Sequence, residues 1–209
     1  ERQKPKIPAL SPAPSTQPLA PVFIGQGQCI EQYGAGEAYM PVLEALGRLG
    51  RMPDREQLIT VLGQYAPTWL MQMPALLSTA ELQALQPRVL GATRERMLRE
   101  IAEALAVLTA ERTLILVLED LHWADSSTLE LLALLSRQRE PAQMLIIGTY
   151  RPMAILGNGH PLNGVAQELQ AHHLCSALPL PLLSKEAVAV YVRQRFSSNV
   201  VPARFAEVL

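Results

Sequence analysis

Residues 114–125 read Leu-Ile-Leu-Val-Leu-Glu-Asp-Leu-His-Trp-Ala-Asp, and this stretch decides the fold class. The apolar run Thr113–Leu118 has the length of a strand, and an unbroken apolar run is typical of a strand buried on both faces of a parallel sheet. Two carboxylates, Glu119 and Asp120, follow the run directly. Charges at the end of a buried strand are costly to desolvate unless they have a partner or a role. The stretch therefore predicts a buried parallel strand with a candidate site at its carboxyl end.

Strand-like and helix-like segments alternate on both sides of this stretch. Further strands are predicted at 22–26, 144–149 and 174–180, and helices at 40–50, 54–64, 92–110, 126–138, 160–172 and 184–196. Ser78 and Glu81 have the spacing of a capping box before a short helix that Pro87 is expected to end. Alternation of this kind predicts an α/β fold with a parallel sheet flanked by helices, whose carboxyl strand ends meet at one ligand-binding edge. Antiparallel pairing of 113–118 with 144–149 would contradict this prediction.

The chain is predicted to have three parts. Residues 1–21 contain six prolines, which prevent helix and central strand, so we expect a proline-rich leader or linker there. Residues 22–183 are expected to form the α/β core, with a helical insertion at about 40–110. Residues 184–209 are expected to be the truncated start of a C-terminal helical region.

Composition excludes several classes of protein. With 18 Lys+Arg against 19 Asp+Glu, the net charge is −1, which predicts no direct nucleic-acid binding and no attraction to anionic membranes. No apolar run is long enough to span a bilayer, and the first residues do not resemble a signal peptide. The two cysteines cannot form a disulfide framework, so a reducing, cytoplasmic location is expected.

The residues after the two central strands are the candidate site. Glu119 and Asp120 would suit Mg²⁺, which takes carboxylate oxygens together with substrate phosphates, and one of the two acids would orient or deprotonate a water. The alternative is a strand-end turn in which Asp120 caps the next segment. Arg151, after the strand at 144–149, would suit a phosphate, or would form an ion pair with one of the acids. We expect all three side chains at one edge, with Arg151 within salt-bridge reach of an acid.

Three segments carry a resemblance to a known family. Leu114–Asp125 resembles the Walker B region of the STAND branch of AAA-type P-loop ATPases, the predicted ATPase modules of LuxR-type regulators and of proteins with adenylate cyclase domains in bacteria. Residues 148–152, Gly-Thr-Tyr-Arg-Pro, resemble the sensor strand of these modules, and residues 27–46 resemble the segment after their P-loop helix. The resemblance covers about residues 22–209.

The resemblance implies a nucleotide switch that binds ATP and Mg²⁺. Glu119 and Asp120 would hold Mg²⁺ and position water, while Thr149 and Arg151 would contact the nucleotide, with Arg151 sensing the γ-phosphate. Partners would be other domains of the parent protein or its homologues.

The chain departs from the family in one motif, because its 209 residues contain no G-x-x-x-x-G-K-[ST] phosphate loop. We therefore expect an incomplete P-loop NTPase-like sheet without the phosphate-loop strand, with a gap or an exposed edge beside strand 144–149. ATP binding and turnover are expected to be impaired. The alternative is a non-catalytic regulatory or interaction remnant of the same module.

Overall fold

The computed structural model describes residues 22–31, 37–53, 55–138, 142–156 and 159–196. The leader at 1–21 and Asp54, the first residue of the helix predicted at 54–64, lie outside these residues. The described elements are, in chain order, β1 (Val22–Gln28), α1 (Met40–Leu49), α2 (Arg55–Tyr65), α3 (Pro67–Met71), a 3-10 turn (Pro74–Leu76), α4 (Thr79–Val89), α5 (Arg94–Glu111), β2 (Thr113–Glu119), a 3-10 turn (Leu121–Trp123), α6 (Ser126–Ser136), β3 (Met144–Gly148), α7 (Pro152–Leu156), α8 (Pro161–Ala171) and α9 (Lys185–Arg195). None of the described helices is long and apolar enough to cross a membrane.

The three described strands form one parallel sheet in the order β1-β2-β3. Val22 pairs with Thr113 at the start of β1, and Leu114 pairs with Met144 at the start of β3, so the three strands run in register to a shared carboxyl edge. The parallel sheet flanked by helices confirms the predicted α/β class, and the predicted strands at 22–26, 113–118 and 144–149 are present.

One face of the sheet is covered closely by α1. Phe23, Leu114, Leu116 and Leu118 point into this face and are buried. The backbone of α1 comes so near to β1 that a Cβ on Gly27 would lie 1.8 Å from the carbonyl oxygen of Pro41. Glycine is therefore required at Gly27 for space, since only hydrogen fits between the strand and the helix.

The opposite face of the sheet is apolar and exposed within the described part of the chain. We call this the open face; it comprises Val22, Ile24, Ile115, Val117, Leu145 and Ile147, and four of the six are largely exposed. Beyond β3, the described residues contain no further strand of this sheet. The exposed edge expected beside residues 144–149 is therefore present, with apolar side chains on it.

Helix boundaries follow local capping chemistry. Ser78 and Glu81 form the predicted capping box of α4, Asp125 caps α6 with its side chain, and Ser184 caps α9. The prediction that Pro87 ends α4 is wrong, because the helix continues to Val89. Pro87 lies close enough to the end of α4 that its missing N–H removes only one late hydrogen bond.

The chain divides into two compact units, residues 1–174 and 175–209. The second unit contains α9, preceded by residues 175–184 without regular structure. The predicted strand at 174–180 is therefore wrong. Pro179 and Pro181 lack the N–H groups that a sheet ladder needs, and Leu178 and Leu180 are exposed. The expected domain boundary at 183/184 stays a prediction.

Candidate functional site

Hydrogen bonds tie the carboxyl ends of β2 and β3 together. The Thr149 N–H donates to Leu118 O at 3.0 Å, and Leu121 N–H donates to Thr149 O at 2.8 Å. The Asp120 N–H donates to the Thr149 hydroxyl oxygen at 3.1 Å. Two of the predicted site residues, Asp120 and Thr149, are thus brought into direct contact by parallel strands that end side by side.

Asp120 occupies the left-handed region, with φ 57° and ψ 42°. Aspartate is among the few non-glycine residues that visit this region, because its short side chain can form local hydrogen bonds. The chain then forms the 3-10 turn Leu121–Trp123, which Asp120 precedes without a side-chain cap bond. Asp125 provides the capping carboxylate instead, accepting from Ser127 N–H at 2.9 Å and Thr128 N–H at 3.0 Å. Asp120 therefore does lie in a strand-end turn, but its carboxylate does not cap the segment that follows.

Two glutamines on β1, which sequence reasoning missed, hold the two acids. Gln26 Nε2 donates to Glu119 Oε1 at 3.1 Å, and Gln28 Nε2 donates to Asp120 Oδ2 at 3.0 Å. The signal in the sequence was their spacing of two residues, which places both side chains on one face of a strand. Without knowledge that β1 pairs with β2, that spacing points to no partner.

The electrostatic field at this edge is negative. Burial of the Cys29 thiol, followed by the charges of Asp125, Asp120 and Glu44, raises the pKa of Cys29 to about 12. Glu44 accepts a hydrogen bond from the Gln28 N–H at 2.9 Å. Cys29 therefore stays a protonated thiol at neutral pH and is not a nucleophile. The carboxylates of Asp125, Asp120 and Glu44 add to the effect of burial on this pKa, and the same negative charges would attract a cation.

The imidazole of His122 is buried next to Asp120. Its side chain is 2% exposed, and neither ring nitrogen has a hydrogen-bond partner among the described groups. Nδ1 lies 3.9 Å from Asp120 Oδ1, beyond hydrogen-bond distance. The ring instead packs against Trp123, with centroids 4.5 Å apart. His122 is therefore a packing residue of the turn Leu121–Trp123.

Arg151 follows β3 at the same edge, three residues after Gly148. Its side chain is exposed, and it forms no ion pair with Glu119, Asp120 or any other described residue. The salt bridge expected from the sequence is therefore not formed in this structure. An exposed strand-end residue can swing through solvent, so the shared edge alone does not hold Arg151 against an acid.

A cleft of about 350 Å³ opens beside the acids, beyond the ends of β1 and β2. Its walls include Cys29, Met40, Trp123 and His160. Gln28 lines this cleft and also donates a hydrogen bond to Asp120, so it connects the cleft with the acid pair. Glu119, Asp120, Thr149 and Arg151 do not line this cleft.

The donor set of the acid pair suits a hard cation. Each carboxylate has one oxygen on an uncharged amide, while Glu119 Oε2 and Asp120 Oδ1 accept no hydrogen bond from the described residues. No lysine or arginine of the described chain neutralises either acid. The same residues contain no group of three or more His, Cys, Asp or Glu side chains able to hold a metal. Two carboxylates alone fit Mg²⁺, which usually keeps several waters and takes further oxygens from phosphates.

One comparison with known proteins identifies a family. The family model described as AAA ATPase domain matches residues 15–147, which include β1, β2, Glu119 and Asp120 and stop before Thr149 and Arg151. No curated protein and no solved structure matches the chain.

Proposed function

The chain belongs to the AAA ATPase domain family, and we propose that it is the nucleotide-binding switch of a larger bacterial signalling or transcription regulator. The observation that carries the site within this proposal is the acid pair at the carboxyl edge of β2. Glu119 and Asp120 each keep one oxygen that accepts no hydrogen bond from the described residues, while the other oxygen accepts one from an uncharged amide.

Each site residue has a proposed role. Glu119 and Asp120 hold Mg²⁺, directly or through water, and one of the two also orients the attacking water and accepts its proton. The Thr149 oxygen accepts the Asp120 N–H, which leaves the hydroxyl hydrogen for a phosphate oxygen. Arg151, exposed and without an ion pair in the described structure, approaches the γ-phosphate. A Mg²⁺ held by Glu119 and Asp120 would supply positive charge to neutralise the phosphates.

The phosphate-binding half of the site is proposed to be impaired in this chain. A G-x-x-x-x-G-K-[ST] loop supplies backbone N–H groups, a lysine and a hydroxyl, and these 209 residues contain no such loop. Without those donors, two acids facing a polyanion repel it. The second candidate is therefore a non-catalytic regulatory or interaction remnant, and the exposed apolar open face favours it.

The remaining features of the proposal follow from the family and the composition. The partners are other domains of the parent protein or of its homologues, and neither nucleic acid nor membrane is bound directly. The location is the cytoplasm, where both cysteines stay reduced.

Binding of Mn²⁺, a spectroscopic substitute for Mg²⁺, tests the site. The wild-type chain is expected to bind Mn²⁺ weakly and in competition with Mg²⁺, as followed by the loss of the free-ion electron paramagnetic resonance signal. Asp120→Asn removes one charge but keeps the shape and tolerates the left-handed backbone, so it should weaken binding. Glu103→Gln, on the exposed side of α5, is the charge-matched control. Equal Mn²⁺ binding by the wild type and Asp120→Asn would overturn the site.

A further inference from the structure

We propose that Gln26 and Gln28 are positioning residues of the cation site, each fixing one oxygen of an acid and leaving the other for the metal. This inference rests on the proposed function, because the metal belongs to it. Neither glutamine lies in Leu114–Asp125, the segment that resembles the Walker B region. Both come from the neighbouring strand β1.

The register of the sheet makes the two contacts possible together. Gln26 and Gln28 occupy successive outward positions on β1, and Gln28 lies directly opposite Glu119 on β2. Gln28 reaches one residue beyond its paired residue to bind Asp120, and Gln26, paired with Val117, reaches two residues further to bind Glu119. The two consecutive acids at the end of β2 are thus bound by alternate glutamines of β1.

The main chain of Gln28 is held by contacts that do not involve its side-chain amide. Its N–H donates to Glu44 Oε2 on α1, and the Cys29 N–H donates to Glu119 O at 2.9 Å. The adjacent Gly27 lies against Pro41. Since these contacts do not involve the Gln28 side chain, a substitution there removes the bond to Asp120 and leaves the strand anchored.

The chemistry of the amide explains why glutamine suits this position. A lysine or arginine would also donate to a carboxylate, but it would cancel the negative charge that a divalent cation needs. An amide donates without charge. Groups that hydrogen-bond metal ligands orient those ligands, and their loss typically weakens metal affinity about 10- to 100-fold. The two acids are half-buried rather than fully buried, so we expect a value near tenfold, at the lower end of this range.

The experiment compares Mn²⁺ dissociation constants and melting temperatures of Gln28→Met, Gln26→Met and the double variant. Methionine keeps the length of the side chain and removes the donor. The matched control is Gln167→Met on α8, whose amide contacts only Asn163 in the described structure. We expect each site variant to bind Mn²⁺ about tenfold more weakly, with a melting temperature close to that of the control. Gln28→Lys, which keeps a donor but adds a charge, should also bind more weakly.

The outcomes separate this inference from the function on which it rests. Unchanged Mn²⁺ affinity in Gln28→Met and Gln26→Met, together with weaker binding by Asp120→Asn, would overturn the positioning role and leave the site standing. A lowered melting temperature without a change in affinity would show a structural role only and would overturn it too. Wild-type affinity in Gln28→Lys would refute the charge argument. Absence of Mn²⁺ binding by the wild type would overturn both proposals.

Discussion

Gly27→Ala should open the contact between β1 and α1 that supports the site. An added Cβ would lie 1.8 Å from the carbonyl oxygen and 2.6 Å from the carbonyl carbon of Pro41. These are backbone atoms near the start of α1, so no side-chain rotation relieves the clash. The strand or the helix must move, and the next residue, Gln28, moves with the strand. Overpacking of this kind costs about 1–3 kcal/mol and occasionally more, and a clash with backbone belongs at the upper end.

Urea denaturation measures this cost, with Gly164→Ala as the matched control. Nothing lies within 4 Å of a Cβ on Gly164, inside α8, so alanine there should raise the free energy of unfolding by about 0.5–1 kcal/mol. With a slope of about 1–3 kcal/mol per molar urea, a loss of about 3 kcal/mol in Gly27→Ala should lower the midpoint by about 1–3 M. If Gly27→Ala unfolds at the same midpoint as the wild type, the close approach of α1 to β1 is wrong.

Three further predictions concern single side chains. At neutral pH a thiol reagent should modify the exposed Cys175 and spare the buried Cys29. The free energy of unfolding should fall as the pH rises from 9 towards 12, because unfolding lets the buried Cys29 thiol ionise, and it should fall less in Cys29→Ala. His122→Phe should unfold with the wild-type free energy or up to about 1 kcal/mol more, since no hydrogen bond to the described residues is lost; a clear loss in urea denaturation would contradict this. Ile147→Lys should reduce aggregation in light scattering without lowering the melting temperature, because Ile147 is exposed on β3.

Local chemistry allowed much of the fold to be predicted. The apolar runs of β1, β2 and β3 give both the strands and their parallel pairing, because such runs occur where helices connect the strands. The strand predicted at 174–180 failed because apolarity was given more weight than Pro179 and Pro181. Those prolines remove hydrogen-bond donors, and a strand also needs a neighbour, which a segment's own residues do not reveal.

The sequence predicted the site residues that directly follow a strand, but not the contacts that neighbouring strands make with them. Glu119 and Asp120 stand out because they follow a buried strand. The hydrogen bonds from Gln26 and Gln28 depend on the register between β1 and β2, which are separated by the helices α1–α5. The left-handed Asp120 donates its N–H to the hydroxyl oxygen of Thr149, which directly follows β3. Both are tertiary effects, and the sequence shows only the residue types that permit them.

Thermal melts test the central proposal most directly. It states that the acid pair Glu119 and Asp120 binds a cation, while phosphate binding is impaired. The wild-type chain and Asp120→Asn are melted with millimolar Mg²⁺ alone and with millimolar MgATP. Stabilisation by a ligand depends on its concentration relative to the dissociation constant, so weak ATP binding predicts the same melting temperature with MgATP as with Mg²⁺. A clear rise with MgATP that Asp120→Asn abolishes would contradict this proposal, because it would require a complete nucleotide site within these 209 residues.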